Sequence, residues 1–148
     1  MMKRKNGLLF LLLLVARLSW GQAKGDDIVG YWLTRGKNTA KIQIYKSADK
    51  YYGKIVWLSE PTENGRPKVD KKNPDAGRRN QQLIGLNLLS HFRFDGDDEW
   101  EDGRIYDPES GKTYRCYLTL KDRNTLKLRG YIGVSLLGRT EVWTRTTL

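Results

Sequence analysis

The chain has 148 residues, with 27 Lys and Arg against 17 Asp and Glu, a net charge of +10, and 39% hydrophobic residues. That length points to one domain, and a lone cysteine, Cys116, excludes an internal disulfide framework. Basic residues are interleaved with acids, as in Arg93–Arg104, where six acids lie between two arginines, so no nucleic-acid partner is expected.

Lys3, Arg4 and Lys5 open the chain, an apolar run follows from Leu8 to Val15, and Gly21-Gln22-Ala23 ends the segment with small residues. This is the layout of a cleavable export signal over residues 1–23. The run is too short to span a bilayer, which takes about 20 apolar residues, and Arg17 ends it. No cysteine follows it to accept a lipid. The expectation is an exported protein, periplasmic or extracellular, with no stable membrane insertion after cleavage. Residues 24–148 then form a single domain, and setting aside the four basic residues of the signal lowers the net charge to +6.

Strand signals dominate the remainder. Val29–Thr34, Ala40–Lys46 and Tyr51–Ser59 are rich in β-branched and aromatic residues, with polar breaks between them. The pattern resumes at His91–Phe94, Glu99–Tyr106, Thr113–Leu120, Thr125–Val134 and Arg139–Thr146. Along these segments one face is apolar and the next polar, as with Ile42 and Ile44 against Lys41 and Gln43. Tyr51–Leu58 is apolar on both faces and is expected to lie under the long loop and the short helix that follows it. Asp107-Pro108-Glu109-Ser110-Gly111 is the clearest turn, with Pro108 suited to its first corner and Gly111 to a positive φ. Between the two sets of strands, Glu60–Asn80 holds three prolines and no periodicity, and so reads as a long loop. Gln81–Leu89 carries Leu83, Leu86 and Leu88 at roughly helical spacing behind a capping Asn80, which predicts a short helix despite Gly85. The fold class is all-β: eight antiparallel strands closed as a barrel, with one long loop and a short helix.

Local strings resemble known families. Gly30-Tyr31-Trp32 on the first strand and Arg145 near the end of the last resemble the lipocalin and calycin pattern. That resemblance implies structural barrel closure by Gly30, Trp32 and Arg145, the guanidinium lying across the indole. A closer resemblance is to the exported bacterial family known as domain of unknown function 2147. It rests on Gly53-Lys54-Ile55-Val56-Trp57-Leu58, on Asp70 with Asn73-Pro74-Asp75, and on Gly103-Arg104-Ile105-Tyr106-Asp107-Pro108. Gly111-Lys112-Thr113-Tyr114, Arg129-Gly130 and Gly138-Arg139-Thr140 with Trp143 and Arg145 continue it. That family often has a second cysteine near the Gly-Lys-Ile segment, whereas Tyr52 precedes Gly53 here. The resemblance implies a calycin-like barrel and export, and carries no activity.

The chemistry-bearing residues are sparse. One histidine, His91, and no Gly-x-Ser-x-Gly string give no basis for a nucleophilic triad, so no catalytic residue is assigned. One His and one Cys make no zinc site, and Asp95–Asp102 lacks the EF-hand pattern and reads as a charged hairpin tip, so neither metal nor cofactor is expected. Cys116 falls on an apolar strand face, as a small buried hydrophobe. Asp70, Asn73 and Asp75 either fix the long loop to the barrel or present polar groups to a ligand mouth. Trp57, Trp100 and Tyr106 either line a pocket or fill the core. The leading expectation is a small apolar or amphipathic ligand bound in the barrel by these six residues. The alternative is a solid barrel acting as an envelope protein-interaction or inhibitor module.

Overall fold

The computed structural model describes residues 23–148. The export signal expected over residues 1–23 lies outside these, apart from Ala23, which packs against the core. A 3-10 turn, Gly25–Ile28, precedes ten strands: β1 Gly30–Leu33, β2 Ala40–Ser47, β3 Lys50–Leu58, β4 Thr62–Glu63, β5 Arg66–Pro67, β6 Asn87–Phe94, β7 Glu99–Asp107, β8 Lys112–Asp122, β9 Thr125–Tyr131 and β10 Gly138–Thr146. Eight of them close a barrel in the order β1-β10-β9-β8-β7-β6-β3-β2, every neighbouring pair antiparallel. The remaining two, β4 and β5, form a small hairpin within the long loop. Closure removes the open edges that would otherwise invite pairing with another chain.

The eight strands expected from alternation are the eight of the barrel, with shifts at their ends. The main departure is Gln81–Leu89, which forms no helix: Asn87–Leu89 opens β6, and a second 3-10 turn, Ala76–Arg78, lies upstream. Leu88 and Leu89 enter β6, which pairs with β3 on one side and β7 on the other. A strand flanked on both sides satisfies its backbone groups through neighbours, and that tertiary gain overrides a weak helical spacing broken by Gly85. Tyr51–Leu58 also departs from expectation. Tyr51, Gly53 and Ile55 face inward, while Tyr52 lies on the outer face between the rings of Tyr45 and His91. Its second apolar face is thus a surface aromatic cluster, not a seat for the long loop. His91 sits within β6, at φ 64°, opposite a β7 segment in which Asp102 has φ 62°. The register shifts on this part of β7, between Trp100 and Gly103 on its β8 side.

The interior is filled unevenly along the barrel axis. At one end Trp32, Trp100, Phe92 and Ile28 are fully buried. Phe94 packs on Trp100 at 4.8 Å between ring centroids, and Tyr51 meets the same indole edge-on at 6.5 Å. Two indoles tie the N-terminal turn across this end: Trp32 Nε1 donates to the Ile28 carbonyl at 2.9 Å, and Trp100 Nε1 to that of Gly25 at 3.0 Å. At the other end the inward positions hold smaller groups such as Ala40, Ile55, Ile105 and Gly130. An eight-stranded barrel is just wide enough for its own side chains to fill, so their size along the axis decides where space remains.

Candidate functional site

That space is a cavity of about 990 Å³, running from the barrel interior out between the loops at its open end. Its wall includes Ile42, Ile55, Leu88, Ile105, Leu128 and Trp143. The β1–β2 loop, the long β3–β6 loop, the β7–β8 turn and the β9–β10 loop frame the mouth. Its charged lining groups come from the loops and turns that frame the mouth and from β10. Alternation along β10 turns Arg139, Glu141 and Trp143 to the cavity. Glu141 accepts from Arg139 Nη2 at 2.6 Å and from Trp143 Nε1 at 3.3 Å, so a carboxylate is held against an otherwise apolar wall. An apolar interior with polar groups set about its mouth is a form that small-molecule sites take.

The sequence-selected residues fall in different places. Tyr106 lines the cavity, and its hydroxyl donates to Asp70 Oδ1 at 2.7 Å. Asp70 is 0% exposed, and its other oxygen accepts from Asn73 Nδ2 at 2.8 Å. Asn73 in turn accepts the Asp75 backbone N–H through Oδ1 at 2.8 Å, and Arg79 Nε through its carbonyl at 2.8 Å. Asp75 caps the 3-10 turn by accepting from the Gly77 N–H at 3.0 Å. None of the three lines the cavity: Asp70 and Asn73 are buried behind Tyr106, Asp75 is exposed, and their hydrogen bonds fold the loop and moor it to Tyr106. Buried acceptors are held this way because an unpaired one costs the full desolvation penalty.

The two tryptophans are likewise displaced from the expected pocket. Trp57 is 40% exposed on the outer face of β3, with Lys41 Nζ 5.3 Å from its ring centroid. Trp100 is packed into the closed end. For Trp100 a period of two gives the face but not which end of it is filled, whereas Trp57 shares the parity of the inward Ile55 and is turned outward by the register shift of β3 against β2 between Lys41 and Ile42. Ile105, Leu128, Glu141 and Trp143 line the cavity, and none of them is among the six residues expected from the sequence. The available signal was the run Arg139, Glu141, Trp143, Arg145 on one face of β10, which places charges beside a core indole.

The closing residues meet at the opposite end. The Arg145 guanidinium lies 4.3 Å from the Trp32 ring centroid. It donates to the carbonyls of Arg123 at 2.6 Å, Val29 at 3.2 Å and Asp27. Gly30 has φ 135°, and a Cβ there would stand 3.0 Å from Arg145 Nη1, so glycine answers both the backbone and the close approach. Cys116 is buried in the wall, and its thiol is pushed up to about 12 by burial and then by the charge of Glu141. A protonated, enclosed thiol is a poor nucleophile.

A solved structure described as "Protein HP1028 from the human pathogen Helicobacter pylori belongs to the lipocalin family" matches with a TM-score of 0.72 and 21% identity. The match covers 80% of this chain and 82% of that one, and at this identity it speaks for the fold. No curated protein matches the sequence. The family model described as an uncharacterized protein conserved in bacteria, DUF2147, matches residues 30–145, from the glycine to the arginine of the closed end. The chain belongs to that family and carries it on a lipocalin-like barrel.

Proposed function

We propose that this is an exported binding protein that holds one small apolar or amphipathic ligand inside its barrel. The observation that carries this reading is the cavity of about 990 Å³, closed at one end by indoles and open at the other between loops. Its aliphatic and aromatic wall favours an apolar body, and Glu141, Arg139 and Tyr106 near the rim suit a polar end. The cavity weighs against a solid interaction module, and a buried, protonated Cys116 offers no activated nucleophile for catalysis. Export is supported by the basic start, the apolar run Leu8–Val15 and the small residues up to Ala23.

Native mass spectrometry of protein purified from its own host tests the binding, with a mass increment of one ligand expected. Titration with a fluorescent fatty-acid analogue should saturate at one site, and Ile105→Trp, which fills the cavity, should weaken it about tenfold or more. No increment and no saturable binding would overturn the reading. Export is checked separately: cell fractionation should place a chain beginning at residue 24 outside the cytoplasm.

A further inference from the structure

The β9–β10 loop at the mouth is built to expose aliphatic side chains. Ile132 is 66% exposed, Val134 58%, Leu136 87% and Leu137 70%, four aliphatics within six residues. The loop is braced from below. Arg129 Nε and Nη2 donate to the Ser135 carbonyl at 2.8 and 2.7 Å, Nη2 also to that of Leu136 at 3.3 Å, and Nη1 to Thr140 Oγ1 at 3.0 Å. Leu137 N–H donates to the Val134 carbonyl at 3.0 Å. Ile132 and Leu137 border the mouth, while Val134 and Leu136 project beyond it. A contiguous apolar tip on an otherwise polar surface marks a place where something else is contacted.

The surroundings of the tip say what kind of partner fits. The rim carries Arg35, Lys37, Lys68, Lys71, Lys72 and Arg139 against Glu63, Asp107, Glu109 and Glu141. Lys71 pairs with Glu63 and Arg139 with Glu141, whereas Arg35, Lys37 and Lys72 have no ion-pair partner among the described residues. Arg129, at the base of the loop, bonds only carbonyls and a hydroxyl. A second copy docked tip to tip would bring two basic rims together, and like charges oppose that contact. A surface that offers aliphatic depth beneath a layer of negative charge complements both features at once.

We propose that the β9–β10 loop and the basic rim beside it dock the open end of the barrel onto a bilayer bearing anionic headgroups. The aliphatic tip enters the interfacial region, Arg35, Lys37 and Lys72 meet the headgroups, and the mouth opens against the lipid. Docking needs only the outer surface, so it stands or falls apart from the ligand reading.

Because Cys116 is buried, Ser135→Cys provides a cysteine at the tip that takes an environment-sensitive fluorophore selectively, and Asn124→Cys does so at the closed end. Vesicles of phosphatidylcholine with about 30% phosphatidylglycerol should shift the tip label to the blue and brighten it about threefold, leaving the closed-end label unchanged. Pure phosphatidylcholine vesicles should bind about tenfold more weakly. Val134→Asp with Leu136→Asp touches neither cavity nor core, and should weaken vesicle binding about tenfold while leaving the melting temperature and fatty-acid-probe binding unchanged. A tip label indifferent to anionic vesicles at low salt would overturn the proposal. So would vesicle binding unaffected by the two aspartates, or a dimer in sedimentation that those aspartates dissolve without any vesicle binding.

Discussion

At the residue scale, the polar groups that matter are those with no water to fall back on. Asp70 illustrates this: its two oxygens satisfy Tyr106 and Asn73, so each partner depends on a separate lone pair. Asp70→Ala removes both bonds and leaves two donors unpaired, with an expected loss of about 3 kcal/mol of unfolding free energy. Asp70→Asn keeps the shape but supplies only one acceptor oxygen, so its loss should be smaller, about 1–2 kcal/mol. Urea unfolding measures both, and an Asn variant as damaging as Ala would contradict the two-acceptor account. Arg145 tests the closed end. Arg145→Ala removes the contact with the Trp32 ring and three carbonyl bonds, and should cost about 2–3 kcal/mol. Arg145→Lys keeps the charge but not the planar fork, and should recover less than half of that. Equal stability of the Lys variant and the native chain would remove the case for a guanidinium-specific closure.

At the scale of elements, the open end is assembled by turns that touch one another. Gly111 ends the β7–β8 turn at φ 71°, with its N–H donating to the Asp107 carbonyl at 2.8 Å. A Cβ there would stand 2.1 Å from the Lys72 carbonyl, so the β7–β8 turn and the long loop approach more closely than any side chain permits. Gly111→Ala therefore strains the backbone and separates two walls of the mouth. We expect a stability loss of about 2 kcal/mol and weaker binding of the fatty-acid probe in the same variant. Calorimetry and the probe titration check the two effects together. The sequence marked this glycine correctly as a positive-φ residue, because the turn is local. Its contact with Lys72, 39 positions away, has no local signature. The misplaced helix over Gln81–Leu89 has the same origin: the spacing of its leucines fits either period, and only pairing of β6 with β3 and β7 decides.

For the whole molecule, burial of titratable groups predicts an alkaline limit to stability. The Tyr106 hydroxyl is pushed up to about 12 by burial and then by its bond to Asp70. The Cys116 thiol is likewise pushed up to about 12, and Tyr51 is raised by burial and its bond to Asp26. In the unfolded chain the thiol ionises near about 8.5 and the phenols near about 10. Raised folded values mean that the stabilisation is whole below those unfolded values and is lost as pH rises toward the folded ones. The melting temperature should therefore be steady from about pH 6 to 8 and fall above about 9. Cys116→Ala should remove the earliest part of the decline and Tyr106→Phe a later part. An identical decline in both variants would show that these groups are not its cause.

From the sequence, the eight strands and the buried Cys116 follow from alternation and turn chemistry, which act over a few residues, and the closing trio Gly30, Trp32 and Arg145 from resemblance to the lipocalin pattern. The tertiary structure alone decided that Trp100 plugs one end, that Trp57 faces solvent, and that Asp70 moors a loop behind the wall. Alternation assigns a side chain to the inside or outside of a barrel only until a bulge breaks the period, as it does before Trp57, and it never gives the height along the axis. That height depends on strand register and on which volumes meet across the interior, so the cavity and its mouth exist only once all eight strands have closed.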